Sequence, residues 1–303
     1  MRRREFLTMA GAAAAGLVLP ARPALAMLDL GGGASLTTLS DGPLVLPADF
    51  AFGTLPADEV APIREAFGLT GDRVEPGCNL ALYRDGTNIV LFDAGSGPDF
   101  MPTAGKLTEA LDAAGLAPED ITHVVFTHAH PDHIWGLLDD FDEPLFFNAT
   151  HMMGRAEWDY WWNPETVNTI GEARAAFAVG AKRRMEAIED SVEFFDDGQE
   201  ILPGIAAMAS YGHTPGHMAF EVRPAGQSAM IVGDAIGNHH VALRRPDWQS
   251  GSDQDPETGV ATRLRLLDRL TSEQMAMVGF HLPGGGMGRV TRDGDAFRFE
   301  EGA

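Results

Sequence analysis

Seven residues between Thr127 and His133 concentrate most of the chemistry this chain can offer. The run Thr127-His128-Ala129-His130-Pro131-Asp132-His133 sets three imidazoles and a carboxylate in one short segment directly after an apolar, β-rich stretch, Ile121 to Thr127. Pro131 keeps the run from continuing as a helix that would spread these groups apart, so they cluster in a loop at a strand end. Burying so many polar groups together is costly unless something binds them. Neutral imidazoles and ionised carboxylates suit Zn²⁺ and similar first-row metal ions.

Three further strand ends carry the same types of residue. Gly212-His213-Thr214-Pro215-Gly216-His217 forms a turn after one apolar run, Gly233-Asp234-Ala235 ends another, and His281 follows Met275 to Phe280. A lone strand-terminal Asp or His is commonly a cap or a satisfied core group. Four such ends in one chain point to a shared site along one rim.

The order H-x-H-x-D-H, then H, then D, then H resembles the metallo-β-lactamase superfamily, and the resemblance spans nearly all of residues 27 to 303. It implies an α/β fold of the αββα sandwich type with a dinuclear site for two divalent metal ions, Zn by default and Mn, Co or Fe as alternatives. Residue by residue, the resemblance implies that His128, His130 and His217 hold the first ion, that Asp132, His133 and His281 hold the second, and that Asp234 bridges them. Asp93 would orient the His loop from behind by hydrogen bonds, and His213 matches a position that does not ligate. Such a pair of ions activates water for hydrolysis, with Asp132 or Asp234 relaying the proton. No G-x-S-x-G motif offers a serine nucleophile instead.

Several local features are similar to the methyl parathion hydrolase branch: Ser40-Asp41-Gly42, Ala156-Glu157-Trp158-Asp159-Tyr160-Trp161, Leu202-Pro203-Gly204-Ile205, and His281-Leu282-Pro283 with Gly284 to Gly288. That branch includes exported esterases, lactonases and phosphotriesterases, and it implies a homodimer. Trp135 stands where the family usually has Gly, which puts a bulky ring beside the metals. Trp158, Tyr160, Trp161 and Trp162 fall in a segment without clean periodicity and are read as packing residues. The second reading makes a substrate-facing wall of Trp135, Trp158 and Trp161.

A small ester or lactone, neutral and fairly apolar, is the expected substrate, with an aryl phosphotriester next and a thioester or β-lactam after it. A non-catalytic or redox metal-binding protein is the rival from a different class. The formal net charge of -22 over 303 residues argues against nucleic acid and anionic lipid as partners and for a small molecule.

The elements that must position these groups alternate along the chain. Asn79 to Arg84 and Asn88 to Asp93 flank Asp85-Gly86-Thr87 and read as a hairpin. Strands are expected at Leu145 to Asn148, Ile205 to Tyr211, Met218 to Val222, Ala229 to Val232 and Met275 to Phe280. Helices are expected at Thr103 to Ala114, Glu172 to Glu189 and Gly259 to Leu270. Interleaved strands and helices mean a layered α/β architecture. The Pro- and Asp-rich connections from Pro47 to Pro76 and from His239 to Pro256 are expected to flank the site.

The first 26 residues read separately, as Arg2-Arg3-Arg4-Glu5-Phe6-Leu7, an apolar stretch through Leu19, and Ala24-Leu25-Ala26. This is the pattern of a twin-arginine-type signal peptide, with export to the periplasm or beyond. The apolar run is shorter than the about 18 residues a membrane span needs, so no stable anchor is expected. Cys78 is the single cysteine, which rules out an internal disulfide, and it reads as a small buried residue.

Overall fold

The computed structural model describes residues 27–302, so the expected leader lies outside the described residues. In chain order the strands are β1 (Met27–Gly31), β2 (Ala34–Pro43), β3 (Leu46–Pro47), β4 (Arg73–Val74), β5 (Gly77–Arg84), β6 (Ile89–Phe92), β7 (His123–Phe126), β8 (Thr150–Gly154) and β9 (Glu193–Phe195). They continue as β10 (Glu200–Leu202), β11 (Ile205–Ala209), β12 (Met218–Val222), β13 (Ala229–Gly233), β14 (Ala276–Gly279), β15 (Met287–Asp293) and β16 (Ala296–Glu301). One sheet runs β1-β2-β5-β6-β7-β8-β9 and a second runs β10 through β16 in sequence order.

Side chains from the inner faces of both sheets interdigitate. Leu36, Tyr83, Phe92 and Val125 from the first meet Phe220, Ile231 and Val278 from the second, with the Phe92 and Phe220 rings 5.1 Å apart. Other buried side chains of each sheet face outward onto helices. Phe126 and Met153 pack with the helices Leu107–Ala113 and Ala175–Glu186. Met230 and Met277 pack with Leu266, Leu267 and Leu270 of the helix Pro256–Ser272. β5 is therefore apolar almost throughout, because both of its faces are covered. This is the expected αββα sandwich. Among the described residues no helix is long and apolar enough to cross a membrane.

The expected hairpin forms, β5 pairing antiparallel with β6 through Leu82 and Leu91. Leu145 to Asn148 departs from expectation. The segment is a turn with Phe147 exposed, and the sheet strand starts only at Thr150. Ala156 to Asn163 departs too, since Arg155–Trp162 is a helix. Its aromatics sit there because Trp158 and Trp161 fall on the face toward the main core, where burial outweighs their moderate helix propensity.

The connection from Pro47 to Pro76 carries two helices, Ala48–Phe52 and Ala57–Ala66, between β3 and β4. It has its own small core of Ala48, Phe52, Val60 and Val74, closed by Val241 from the other long connection.

His151 on β8 is 4% exposed, its Nε2 lacks a partner among the described residues, and burial pushes its pKa down to about 4. Unfolded, the ring titrates near 6.5, so the unfolded chain gains a proton that the fold refuses. Stability is therefore lost as pH falls from about 6.5 to about 4, by on the order of 3 kcal/mol. Urea unfolding of wild type and His151→Leu at pH 7 and pH 4.5 checks this. The variant should lose less on acidification, and parallel losses would refute the assignment.

Candidate metal centre

Strand register brings the donor-bearing ends together. In the first sheet β6 and β7 are parallel with Phe92 opposite Val125, so Asp93 emerges beside the segment that continues as Thr127 and His128. In the second, β13 and β14 are parallel with Gly233 opposite Gly279, so Asp234 and His281 leave the sheet side by side. The short helix Pro131–Ile134 then turns Asp132 and His133 back toward them.

Two groups of donor atoms result. Nδ1 of His130 lies 3.1 Å from Nε2 of His128 and 2.9 Å from Nε2 of His213. Nε2 of His281 lies 3.2 Å from Oδ2 of Asp132, and Nε2 of His133 lies 3.7 Å from the same oxygen. Asp234 faces both groups. Its Oδ2 is 3.3 Å from Nε2 of His213 and 3.3 Å from Nε2 of His281, and its Oδ1 is 3.5 Å from Nε2 of His133. Oδ2 of Asp132, Nε2 of His133 and Oδ1 of Asp234 are buried without hydrogen-bond partners among the described residues. Orphaned polar atoms are rare in folded interiors. Converging nitrogens and carboxylate oxygens of this kind fit divalent first-row cations.

The residues behind the donors fix which ring nitrogen is free. Nδ1 of His133 donates to Asp93 at 2.8 Å, and Asp93 also accepts from the Thr127 amide at 2.7 Å. The Thr127 hydroxyl donates to Asp93 at 2.8 Å and accepts from Nδ1 of His128 at 3.0 Å. Nδ1 of His213 donates to Asp253 at 3.2 Å, and Nδ1 of His281 donates to the Gly77 carbonyl at 2.8 Å. Each of these four imidazoles therefore presents Nε2, with its partner holding the ring in one orientation.

Charge is divided unevenly over the site. Burial, reinforced by neighbouring imidazoles, holds His128 and His130 well below the ordinary histidine range, which keeps them neutral. Burial acts the same way on His133, but Asp234, Asp93 and Asp132 outweigh it and push the pKa up to about 10. His281 is likewise driven up against its burial by Asp234 and Asp132. Burial would raise Asp234, yet His281 and His133 hold it well below the usual carboxylate range. Protons on His133 and His281 thus balance the carboxylates, and a divalent cation is the natural replacement for them.

One expected ligand is corrected. His217 is fully buried with its ring 4.9 Å from that of His128, but both of its nitrogens are already engaged. Its Nδ1 bonds the Ser210 hydroxyl at 2.8 Å and its Nε2 accepts the Asp234 amide at 3.0 Å, leaving no lone pair free. His217 sits in the paired base of the turn, where the Ser210 amide bonds its carbonyl. His213 is at the tip and takes the place expected for His217. Asp253, which sequence reasoning missed, shows in the chain only as one of several acids in a long connection.

Of the two readings of the aromatic residues, packing fits the structure and the substrate-facing wall does not, since none of Trp135, Trp158 and Trp161 lines the cavity that faces the site. Trp161 is 1% exposed, its ring lies behind His130 at 5.7 Å, and its indole donates to Glu157. Trp158 stacks on Trp162 at 5.1 Å. Trp135 does not crowd the donors. It lies against Phe100 and beneath the Arg184 guanidinium, over Gly180, where a Cβ would come within 2.3 Å of the indole. The absent side chain at Gly180 makes the room that Trp135 needs.

What does face the site is a cavity of about 470 Å³ with His130, Asp132, His213, Asp234 and His281 on its floor. Leu44, Leu46, Phe50, Phe52, Leu69 and Val74 form an apolar wall, and Arg174, Phe177, Asn238, His239, Ser250 and Ser252 are among the other residues of the lining. Both long connections therefore border the site, as expected. Cys78 is buried beside Asp132 and His281, and burial pushes its thiol up to about 12.

Residues 73–274 match the family model of the metallo-β-lactamase superfamily, and the chain belongs to that superfamily. The chain is 29% identical over 203 residues to the uncharacterized protein Rv2581c of Mycobacterium tuberculosis, covering 64% of this chain and 82% of the relative. It is 32% identical over 114 residues to the N-acyl homoserine lactonase AttM of Azorhizobium caulinodans, covering 37% of this chain and 39% of the lactonase. Among solved structures it is similar to AidC, a dizinc quorum-quenching lactonase, with a TM-score of 0.85 at 23% identity over 92% of this chain and 97% of that one. The hydrolase AbOPH gives a TM-score of 0.84 at 24% identity over 91% and 97%. At these identities the structural likeness is one of fold.

Proposed function

We propose that this hydrolase of the metallo-β-lactamase superfamily opens a small neutral lactone, or cleaves a comparable carboxylic ester, with two divalent metal ions in the donor groups. The observation that carries this reading is Asp234 between two donor groups on the floor of a cavity with an apolar wall. The first ion would be held by His128, His130 and His213, the second by Asp132, His133 and His281, with Asp234 shared. Bound there, the ions supply Lewis-acid polarisation of water and of a carbonyl oxygen at neutral pH.

The chain's own residues do the rest. The apolar wall takes the hydrocarbon part of the substrate and displaces water from it. Nη2 of Arg174 is held by the carbonyls of Gly251 and Ser252, each at 3.0 Å, which fixes the guanidinium at the cavity's edge as a donor for a substrate acceptor. Asp132 and Asp234 stand where a proton leaving water can be received. The names of AttM and AidC support a lactone over a phosphotriester.

Metal content by mass spectrometry, paired with hydrolysis of a lactone, an aryl ester and an aryl phosphotriester before and after chelation, tests the proposal. About two ions per chain with chelator-sensitive lactone or ester turnover is the expected result. Turnover of the phosphotriester alone would change the substrate class. Fewer than two ions and no turnover after adding Zn²⁺ or Mn²⁺ would overturn the reading.

A further inference from the structure

Glu157 is fully buried, third in the helix Arg155–Trp162, and stands apart from the donors. Its Oε1 accepts the Ala129 amide at 2.9 Å and the Trp161 indole N–H at 2.6 Å. Its Oε2 accepts the Thr214 hydroxyl at 2.7 Å and the Gly216 amide at 3.0 Å. Among the described residues no Lys or Arg forms an ion pair with it. Burial raises its pKa, and the four donors oppose that rise.

Three of the partners lie on two segments from different sheets, and the fourth, Trp161, is on the helix of Glu157 itself. Ala129 is the residue between His128 and His130, on the loop after β7 of the first sheet. Thr214 and Gly216 belong to the turn that carries His213, between β11 and β12 of the second. At their base these segments share one backbone bond, from the Met218 amide to the Thr127 carbonyl. Glu157 joins them near their tips. The turn approaches so closely that a Cβ on Gly216 would come within 2.1 Å of the Glu157 amide nitrogen.

We propose that Glu157 is the positioning residue of the first donor group, holding His128 and His130 in register with His213 across the two sheets. Four donors and no acceptor converge on it, so the site demands an acceptor-only group with two oxygens. A glutamine amide would turn N–H groups against two of these donors, and an aspartate would fall one methylene short. A negative charge there also complements the group it braces, because His128, His130 and His213 contribute no carboxylate of their own. The inference rests on the proposed function only in expecting metal ions at these donors.

The test uses Glu157→Gln and Thr214→Val in the full chain, read first by imidazole nitrogen NMR of chelated protein and then by chelator competition after Co²⁺ loading. In Glu157→Gln the signals of His128, His130 and His213 should move while those of His133 and His281 keep their wild-type positions. One ion should bind about 10- to 100-fold more weakly, with the other near its wild-type affinity. Thr214→Val should move His213 alone, in the same direction and by less, and it decides the matter if the glutamine variant does not fold. Unchanged signals and affinities, or equal changes in both donor groups, would overturn the proposal. A wild-type chain that takes up only one ion would refute the dinuclear reading, and the imidazole signals would still decide the role of Glu157.

Discussion

His213→Ala is expected to lose the ion of the first donor group and at least about a thousandfold in kcat/KM, whereas His217→Ala should keep both ions and most of the turnover. The thousandfold corresponds to the several kcal/mol of charge stabilisation that a bound cation supplies to a hydrolytic transition state. Nε2 of His213 completes a set of three imidazole nitrogens and also faces Oδ2 of the shared Asp234 at 3.3 Å. Both nitrogens of His217 are spent on Ser210 and the Asp234 amide. Removing the His217 ring leaves the Asp234 amide unpaired and the Ser210 hydroxyl with only the His217 carbonyl at 3.3 Å, at a cost of about 1 to 3 kcal/mol in stability, and shifts Asp234 only indirectly. Metal analysis beside kinetics on both variants separates the two roles. The reverse pattern, with metal lost in His217→Ala and kept in His213→Ala, would restore the assignment expected from the sequence.

Asp234→Ala should have the larger effect on metal content, because this carboxylate alone faces both donor groups. Uptake should fall below about one ion per chain and turnover by at least about a thousandfold, since the transition-state stabilisation from both cations is lost. Asp234→Asn keeps the shape and one oxygen but not the charge. Because His281 and His133 hold the carboxyl well below its usual range, the wild-type group is anionic at neutral pH, and the asparagine variant should resemble the alanine one. An asparagine variant with two ions and near-normal turnover would show that the bridge works by geometry alone.

Six of the seven donors were legible because each ends or follows an apolar strand, and parallel register in the sheets carries such ends to a common rim. The seventh was not. His213 and His217 share one turn, and spacing cannot say which ring points inward. That is settled by backbone pairing at Ser210 and by contacts of Thr214 and Gly216 with a helix some 60 positions earlier in the chain. The same limit applies to Trp135, whose direction depends on the missing side chain of Gly180. It applies to Glu157 too, which reads as one polar residue among aromatics until its four donors are seen together. Trp158 and Trp161 were misleading as a substrate wall because the segment lacks clean periodicity, while its helix is stabilised by packing against the core rather than by its own pattern.

Most of the wall within the Pro47 to Pro76 connection is packed on a small core, Phe52, Val60 and Val74 closed by Val241, whereas Leu44 belongs to the large cluster beneath the metal donors and Leu46 touches both. Substitutions in separate clusters that share no partners add almost independently in their effect on stability. Selection can therefore reshape what the enzyme accepts by trial in the Pro47 to Pro76 connection while the donor scaffold stays intact. The fold keeps its chemistry as an inheritance and leaves its substrate range open to drift.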